Sequence, residues 1–215
     1  MELLHNLLDF LLHLDQHLSS FIQEYGVWTY GILFLIIFVE TGVVVMPFLP
    51  GDSLLFAVGS FAAKGDFNLL TLLILLSIAA ILGDATNYLI GKFFGKQLMK
   101  LTFRGKPIIK PEHLAKTESF YADYGAKTIV IARFVPIVRT LAPFVAGVGK
   151  MDYAKFFSYN IGGGLVWVLS LTLAGYFFGQ LPIVKENFEL VVFSIIGLSL
   201  LPIVIEFIKA RLRRS

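Results

Sequence analysis

Residues 27–63 read VWTYGILFLIIFVETGVVVMPFLPGDSLLFAVGSFAA, and the break inside this stretch decides the fold. From Val27 to Met46 the side chains are almost all apolar, apart from Glu40 near the end. Pro47, Pro50 and Gly51 then stop the helix, because proline removes a backbone donor and crowds the preceding turn. The segment from Ser53 to Ala63 is apolar again but too short to cross a bilayer, which takes roughly 20 residues per spanning helix. A helix, a proline-rich break and a short returning helix make a re-entrant hairpin. Irregular backbone at membrane depth survives only inside protein or along a wet cavity.

The rest of the chain fits a membrane setting. Of 215 residues, 57% are hydrophobic and only 15% charged, with mean hydropathy +0.79, where a soluble domain carries about 25% charged residues. The absence of cysteine excludes disulfides and thiolate metal sites. Met1 to Glu24 contains no Lys or Arg, which argues against a cleaved signal peptide.

Working outward, residues 1–24 repeat Leu and Phe at helical spacing, with Asp9, His13, Gln16 and His17 interleaved, and predict an amphipathic interfacial helix. A first repeat, 25–95, holds the hairpin (27–63) and a spanning helix (69–94). A basic loop with a surface helix covers 96–122. A second repeat, 123–180, holds a second interrupted segment (127–149) and a spanning helix (153–178). A last span and a basic tail fill 187–215. In the second interrupted segment Pro136 is expected to bend the chain, Pro143 to end the helix, and Gly147 to follow. Basic residues mark the cytoplasmic face, so the central loop and the tail are expected there. The first hairpin then enters from outside and the second from the cytoplasm.

Several short matches relate the halves. Glu24-Tyr25-Gly26 matches Asp123-Tyr124-Gly125, Glu40-Thr41 matches Arg139-Thr140, Pro47 to Gly51 matches Pro143 to Gly147, and Gly91 to Gly95 matches Gly175 to Gly179. One spanning helix separates the two hairpins, so the repeats are expected to be inverted, a recurrent transporter plan. The expected fold class is therefore all-α: a polytopic membrane protein of two inverted-repeat re-entrant hairpins plus spanning helices.

Charge inside a membrane costs about 2.5–3.5 kcal/mol per group on insertion scales, so Glu40, Asp52, Arg133 and Arg139 call for partners or a purpose. Two acids in one hairpin and two bases in the other suggest mutual compensation. Arg133 and Arg139 lie about 120° apart on a straight helix, and a bend between them would let both converge on one anion. A planar guanidinium fork suits phosphate. Two readings stand side by side: the charges only hold the hairpins together, or they form a phosphate site flanked by titratable carboxylates. Glu40, Asp52 and Asp84 are the proton-relay candidates, although Asp84 fits a backbone-bonding role equally well. Asn160, Trp167 and the Gly162–Gly164 run read as close helix packing. His5, His13 and His17 lack a completing acid for a metal site, and no metal or cofactor is expected.

The stretches Phe38 to Gly42, Pro47 to Ser53, Ala132 to Thr140, and Ala146-Gly147 with Met151 resemble the DedA family of bacterial inner-membrane proteins, related to the eukaryotic VTT-domain lipid scramblases. The resemblance covers nearly the whole chain. It implies roles in envelope integrity, cell division and drug or pH tolerance. It also implies flipping of undecaprenyl phosphate or phosphatidylethanolamine, coupled to the proton motive force. The family's essential charges map onto Glu40, Asp52, Arg133 and Arg139.

The expected function is a lipid flippase or scramblase with membrane lipids and protons as partners. A homo-oligomer is compatible, and no nucleic-acid partner is expected. A proton-coupled cation or drug antiporter and a membrane scaffold are the alternatives. An enzyme is not expected, since the sequence holds no P-loop, no paired His–acid motif and no nucleophile with an evident base.

Overall fold

The computed structural model describes residues 25–43, 51–100, 102–103, 106–107 and 111–182, with isolated positions up to 197. The expected N-terminal helix and its histidines, Pro47, Pro50 and most of the last span and tail lie outside the described residues.

The described chain is α-helical apart from one two-residue pairing. Its helices are α1 (Trp28–Gly42), α2 (Gly51–Lys64), α3 (Leu69–Leu98), α4 (Pro111–Tyr124), α5 (Thr128–Ala132, entered by a 3-10 turn at Gly125–Lys127), α6 (Pro136–Val148) and α7 (Tyr153–Phe178). Between α3 and α4, Thr102 and Phe103 pair antiparallel with Pro107 and Lys106.

Local chemistry sets the ends. Gly65, at φ 94°, turns the chain out of α2 where an L side chain would be strained. Asn68 then caps α3 by accepting from the Thr71 backbone N–H at 2.9 Å, and Asp152 caps α7 by accepting from that of Lys155 at 2.9 Å. The α3 helix has 30 residues and α7 has 26. At 1.5 Å per residue both exceed the ~30 Å hydrocarbon thickness, and both are apolar enough to span. Helix α3 is longer than the expected 69–94. It carries an exposed stripe of Leu70, Ile74, Ile78, Leu82, Leu89 and Phe93, a face suited to lipid rather than water.

One expectation about the second interrupted segment holds and one is corrected. The helix is interrupted between Arg133 and Arg139, and Pro136 starts α6 in its first turn, where its missing N–H costs nothing. The residue before a proline is forced into extended backbone, and Val135 adopts φ −120° and ψ 102°. The break therefore falls at 133–135. Pro143 does not end the helix, which runs on to Val148. A single proline removes one ladder bond, to the Arg139 carbonyl, and the flanking turns carry the helix through.

One short helix of each half lies on the long helix of the other half, and one lies on the long helix of its own. Helix α2 packs on α7, and α6 packs on α3, as the most extensive contacts of each, while α1 packs on α3 and α5 on α7. The crossings are matched. A Cβ at Gly91 would meet the Phe144 carbonyl, and one at Gly147 the Tyr88 carbonyl. At the other crossing, Gly175 would meet the Phe56 carbonyl and Gly59 the Thr172 carbonyl. Gly147 thus takes on α3 the place that Gly59 takes on α7, so the pairing of Pro47–Gly51 with Pro143–Gly147 is in the wrong register. The core between these helices contains Leu33, Ile37, Leu55, Val58, Leu72 and Leu76.

Candidate functional site

The site lies where the broken segments meet the long helices. Helix α1 ends beside α2's first turn: a Cβ on Gly51 would collide with the Glu40 carboxylate, which places that carboxylate at a helix N-terminus, where negative charge is favoured. Asp52 follows in the same turn. From the other half, Arg139 on the first turns of α6 reaches both. Its Nη2 donates to Glu40 Oε1 at 3.0 Å and its Nη1 to Asp52 Oδ1 at 2.7 Å. The fork is filled by two carboxylates that come from opposite sides of one chain break.

Arg133 is held differently. Its Nη2 donates to Asp84 Oδ2 on α3 and to Asn160 Oδ1 on α7, both at 2.6 Å. Asn160 in turn donates through Nδ2 to the Ile81 carbonyl at 2.9 Å. The guanidinium lies along bare backbone: a Cβ on Gly163 would come within 3.2 Å of Nε, and one on Gly164 within 3.4 Å of Nη2. The glycine run of α7 makes room for this arginine. The expectation that the bases of one hairpin neutralise only the acids of the other is corrected. Arg133 pairs with a spanning helix, so three carboxylates face two guanidiniums.

Trp167 links the two clusters. Its Nε1–H donates at 2.9 Å to the Asp52 oxygen that Arg139 also holds. Its ring lies 5.4 Å from the Arg139 guanidinium carbon and 5.8 Å from that of Arg133, within cation–π range. Asn87 ties the backbone together, donating to the Thr41 carbonyl at 3.1 Å and the Thr140 carbonyl at 2.9 Å. These are the residues next to Glu40 and Arg139, so one amide fixes both ends of that ion pair.

Burial ranks the members. The side chains of Glu40 and Arg133 are 2% exposed and that of Arg139 8%, whereas Asp52 is 19% exposed. Asp52 is the member nearest the surroundings. Three polar atoms of the cluster, Glu40 Oε2, Asn87 Oδ1 and Arg133 Nε, are buried with no hydrogen-bond partner among the described residues. Outside the membrane segments, Tyr121 on α4 donates to the Ala142 carbonyl at 2.8 Å and pins α4 to α6. Burial pushes its phenol up from the ordinary value, so it stays a donor.

Glu40, Asp52, Asp84, Arg133 and Arg139 thus all come together. Arg133 and Arg139 do not converge on one point, and each has its own acids. Pro136 and Gly147 shape α6, and Gly51 seats Glu40. Two roles are visible only here. Trp167 reads as a packing residue in the sequence and Asn87 is assigned no role there, but each bonds directly to the charged system or its backbone. Helical spacing held the signal: Asn87 lies three residues from Asp84, and Trp167 seven from Asn160, each on the same face.

The VTT domain family matches residues 49–177. This chain belongs to the DedA family of VTT-domain membrane proteins. Protein DedA of Escherichia coli (strain K12) is 53% identical over 211 residues, 97% of this chain and 95% of that protein. An uncharacterized membrane protein of Mycobacterium tuberculosis (strain ATCC 25618 / H37Rv) is 40% identical over 188 residues, 86% of this chain and 81% of its own. Inner membrane protein YqjA of E. coli (strain K12) is 37% identical over 155 residues, 72% of this chain and 69% of its own. No solved structure matches the chain significantly.

Proposed function

We propose that this DedA-family protein is a membrane lipid transporter rather than an enzyme: a flippase or scramblase for a phospholipid or undecaprenyl phosphate. The observation that carries the reading is Arg139, buried and gripped by Glu40 and Asp52 across a chain break. The fork that holds two carboxylates also fits two oxygens of a lipid phosphate. Protonation of Glu40 or Asp52 removes the charge that competes for the fork, so phosphate binding and proton uptake become linked. Asp52, the more exposed acid, exchanges first. Arg133 assists through its unpartnered Nε while Asp84 and Asn160 hold its Nη2. Asp84 is the inner relay candidate. The lipid's chains stay in the bilayer, so only the headgroup needs shielding.

In this proposal α1–α2 and α5–α6 are re-entrant hairpins related by a pseudo-two-fold axis in the membrane plane, as in other inverted-repeat transporters. The matched glycine crossings of α6 on α3 and α2 on α7 support it. The protein sits in the bacterial inner membrane, as the printed name of one relative says of that relative, with Lys92, Lys96 and Lys100 on the cytoplasmic side.

Reconstituted vesicles carrying headgroup-labelled lipid, with the outer leaflet quenched chemically, test the reading. The unaltered protein is expected to expose inner-leaflet label, and Arg139→Gln to do so no faster than protein-free vesicles. Normal transfer by a folded Arg139→Gln protein sinks the phosphate role. One observation favours a second reading, a proton-coupled cation antiporter: acids outnumber bases in the cluster, and Glu40 Oε2 is an unpartnered buried acceptor. Cation flux driven by a pH gradient in the same vesicles, without lipid transfer, would select it.

A further inference from the structure

Two turns beyond Asp84, about 12 Å along α3, lies a cavity outside the ion-pair cluster. Its volume is about 480 Å³, and its lining includes Tyr88, Lys92, Phe93, Lys150, Asp152 and Tyr153. Nothing in the proposed transport mechanism uses it.

The turn that forms one wall is the C-terminal cap of α6. Lys150 has φ 55°, the one non-glycine residue with positive φ among the described residues, the left-handed conformation in which helices commonly end. Here the Lys150 N–H donates to the Gly147 carbonyl at 3.0 Å and the Met151 N–H to that of Ala146 at 2.9 Å. The Tyr88 hydroxyl holds the Met151 carbonyl from across the cavity. The result brings the Lys150 stem to the same cavity as Lys92.

The charges of the wall select a ligand. Asp152 is engaged in capping α7, and the positive end of that helix faces the same side. Two lysines against one aspartate leave one positive charge, which matches the single negative charge of a phosphodiester. The flank of the cavity is apolar and open: Leu89 is 40%, Phe93 65%, Phe94 58% and Tyr153 41% exposed. Amphipathic aromatic and lysine side chains together mark the headgroup level of a bilayer.

We infer that this cavity seats the phosphodiester headgroup of a membrane lipid, with Lys92 and Lys150 on the phosphate and the acyl chains along the exposed Leu89–Phe93 face. The site is separate from Arg139 and stands whether or not the central cluster carries lipid.

Calorimetric titration of the purified full-length protein in detergent tests this. The probes are dioctanoyl phosphatidylglycerol, dioctanoylglycerol, which lacks the phosphate, and inorganic phosphate. Saturable binding of the first is expected, at least tenfold tighter than either of the others. Lys92→Gln with Lys150→Gln is expected to weaken it at least tenfold. Lys96→Gln with Lys100→Gln, which removes the same charge from exposed positions at and just beyond the end of α3, is expected to leave it unchanged. Equal loss in both pairs would mean diffuse attraction and overturn the site. Equal affinity for inorganic phosphate would make it a free-anion site, and equal affinity for dioctanoylglycerol an apolar groove. Either result, or no saturable binding, overturns the proposal.

Discussion

The two arginines of the buried cluster are six residues apart in sequence and belong to different structures. Arg133 is held by Asp84 and Asn160, which sit on the long helices α3 and α7. Arg139 is held by Glu40 and Asp52, which sit at the facing ends of the short helices α1 and α2. The partners of the first are fixed in continuous helices and are 4% exposed at Asp84, while Asp52 is 19% exposed beside a chain break. Burying an ion pair contributes little net stability, but removing one partner leaves an uncompensated charge. In the proposed function the same chemistry would serve as a lock in one place and as an exchangeable contact in the other.

The comparison breaks most sharply at Arg139. Arg139→Gln is expected to lower lipid transfer at least a hundredfold, a barrier increase of about 2.7 kcal/mol. Adding Glu40→Gln is expected to restore thermal stability and not transfer. Restoration of transfer by this neutral pair would make Arg139 a second lock and remove it from headgroup binding.

Arg133 is expected to behave in the opposite order. Arg133→Gln leaves Asp84 buried without its cation, a loss of about 3–5 kcal/mol in stability, seen as a lowered melting temperature in detergent. Adding Asp84→Asn is expected to recover most of that stability and to bring transfer to within about tenfold of the unaltered protein, a barrier difference near 1.4 kcal/mol. A neutral pair that folds but transfers no lipid would place Arg133 alongside Arg139 in the exchange.

The contrast between the arginines was only half legible in the sequence. Proline and glycine chemistry located the interruptions, and the cost of charge in a membrane marked Glu40, Asp52, Arg133 and Arg139. Gly91 and Gly175, picked out in the sequence by matching motifs, each lie against a carbonyl of a crossing helix, because close helix crossing depends on small residues. What failed was anything that depends on which helix faces which. Pro143 looked like a terminator, since sequence cannot say that neighbouring turns would carry α6 past it. Arg133 looked like a partner for the first hairpin, since its distance to Asp84 is set by α3 crossing behind the break. Trp167 and Asn160 looked like packing because their polar atoms find partners only after the helices assemble.

Asn87 tests whether the two ends of the Arg139–Glu40 pair must be fixed together. Asn87→Ala removes donations to the Thr41 and Thr140 carbonyls, about 1 kcal/mol each. It is expected to cost about 2 kcal/mol of stability, with transfer per folded molecule reduced several-fold and the Arg133 side unaffected. A loss confined to stability would show that backbone registry at this point is not needed for exchange.

Trp167 carries the smallest expected effect and the finest distinction. Its Nε1–H holds the Asp52 oxygen that Arg139 also holds. If Arg139 turns to a phosphate as proposed, this bond would keep the displaced carboxylate in place and out of competition. Trp167→Phe preserves an aromatic ring beside both guanidiniums and removes only that donor. The loss of about 1 kcal/mol is expected to slow transfer roughly fivefold, because Asp52 then follows Arg139 and competes with the incoming phosphate. A Trp167→Phe protein that transfers lipid at the normal rate would mean that Asp52 is steered by Arg139 alone, and that the tryptophan serves the two arginines only through its ring.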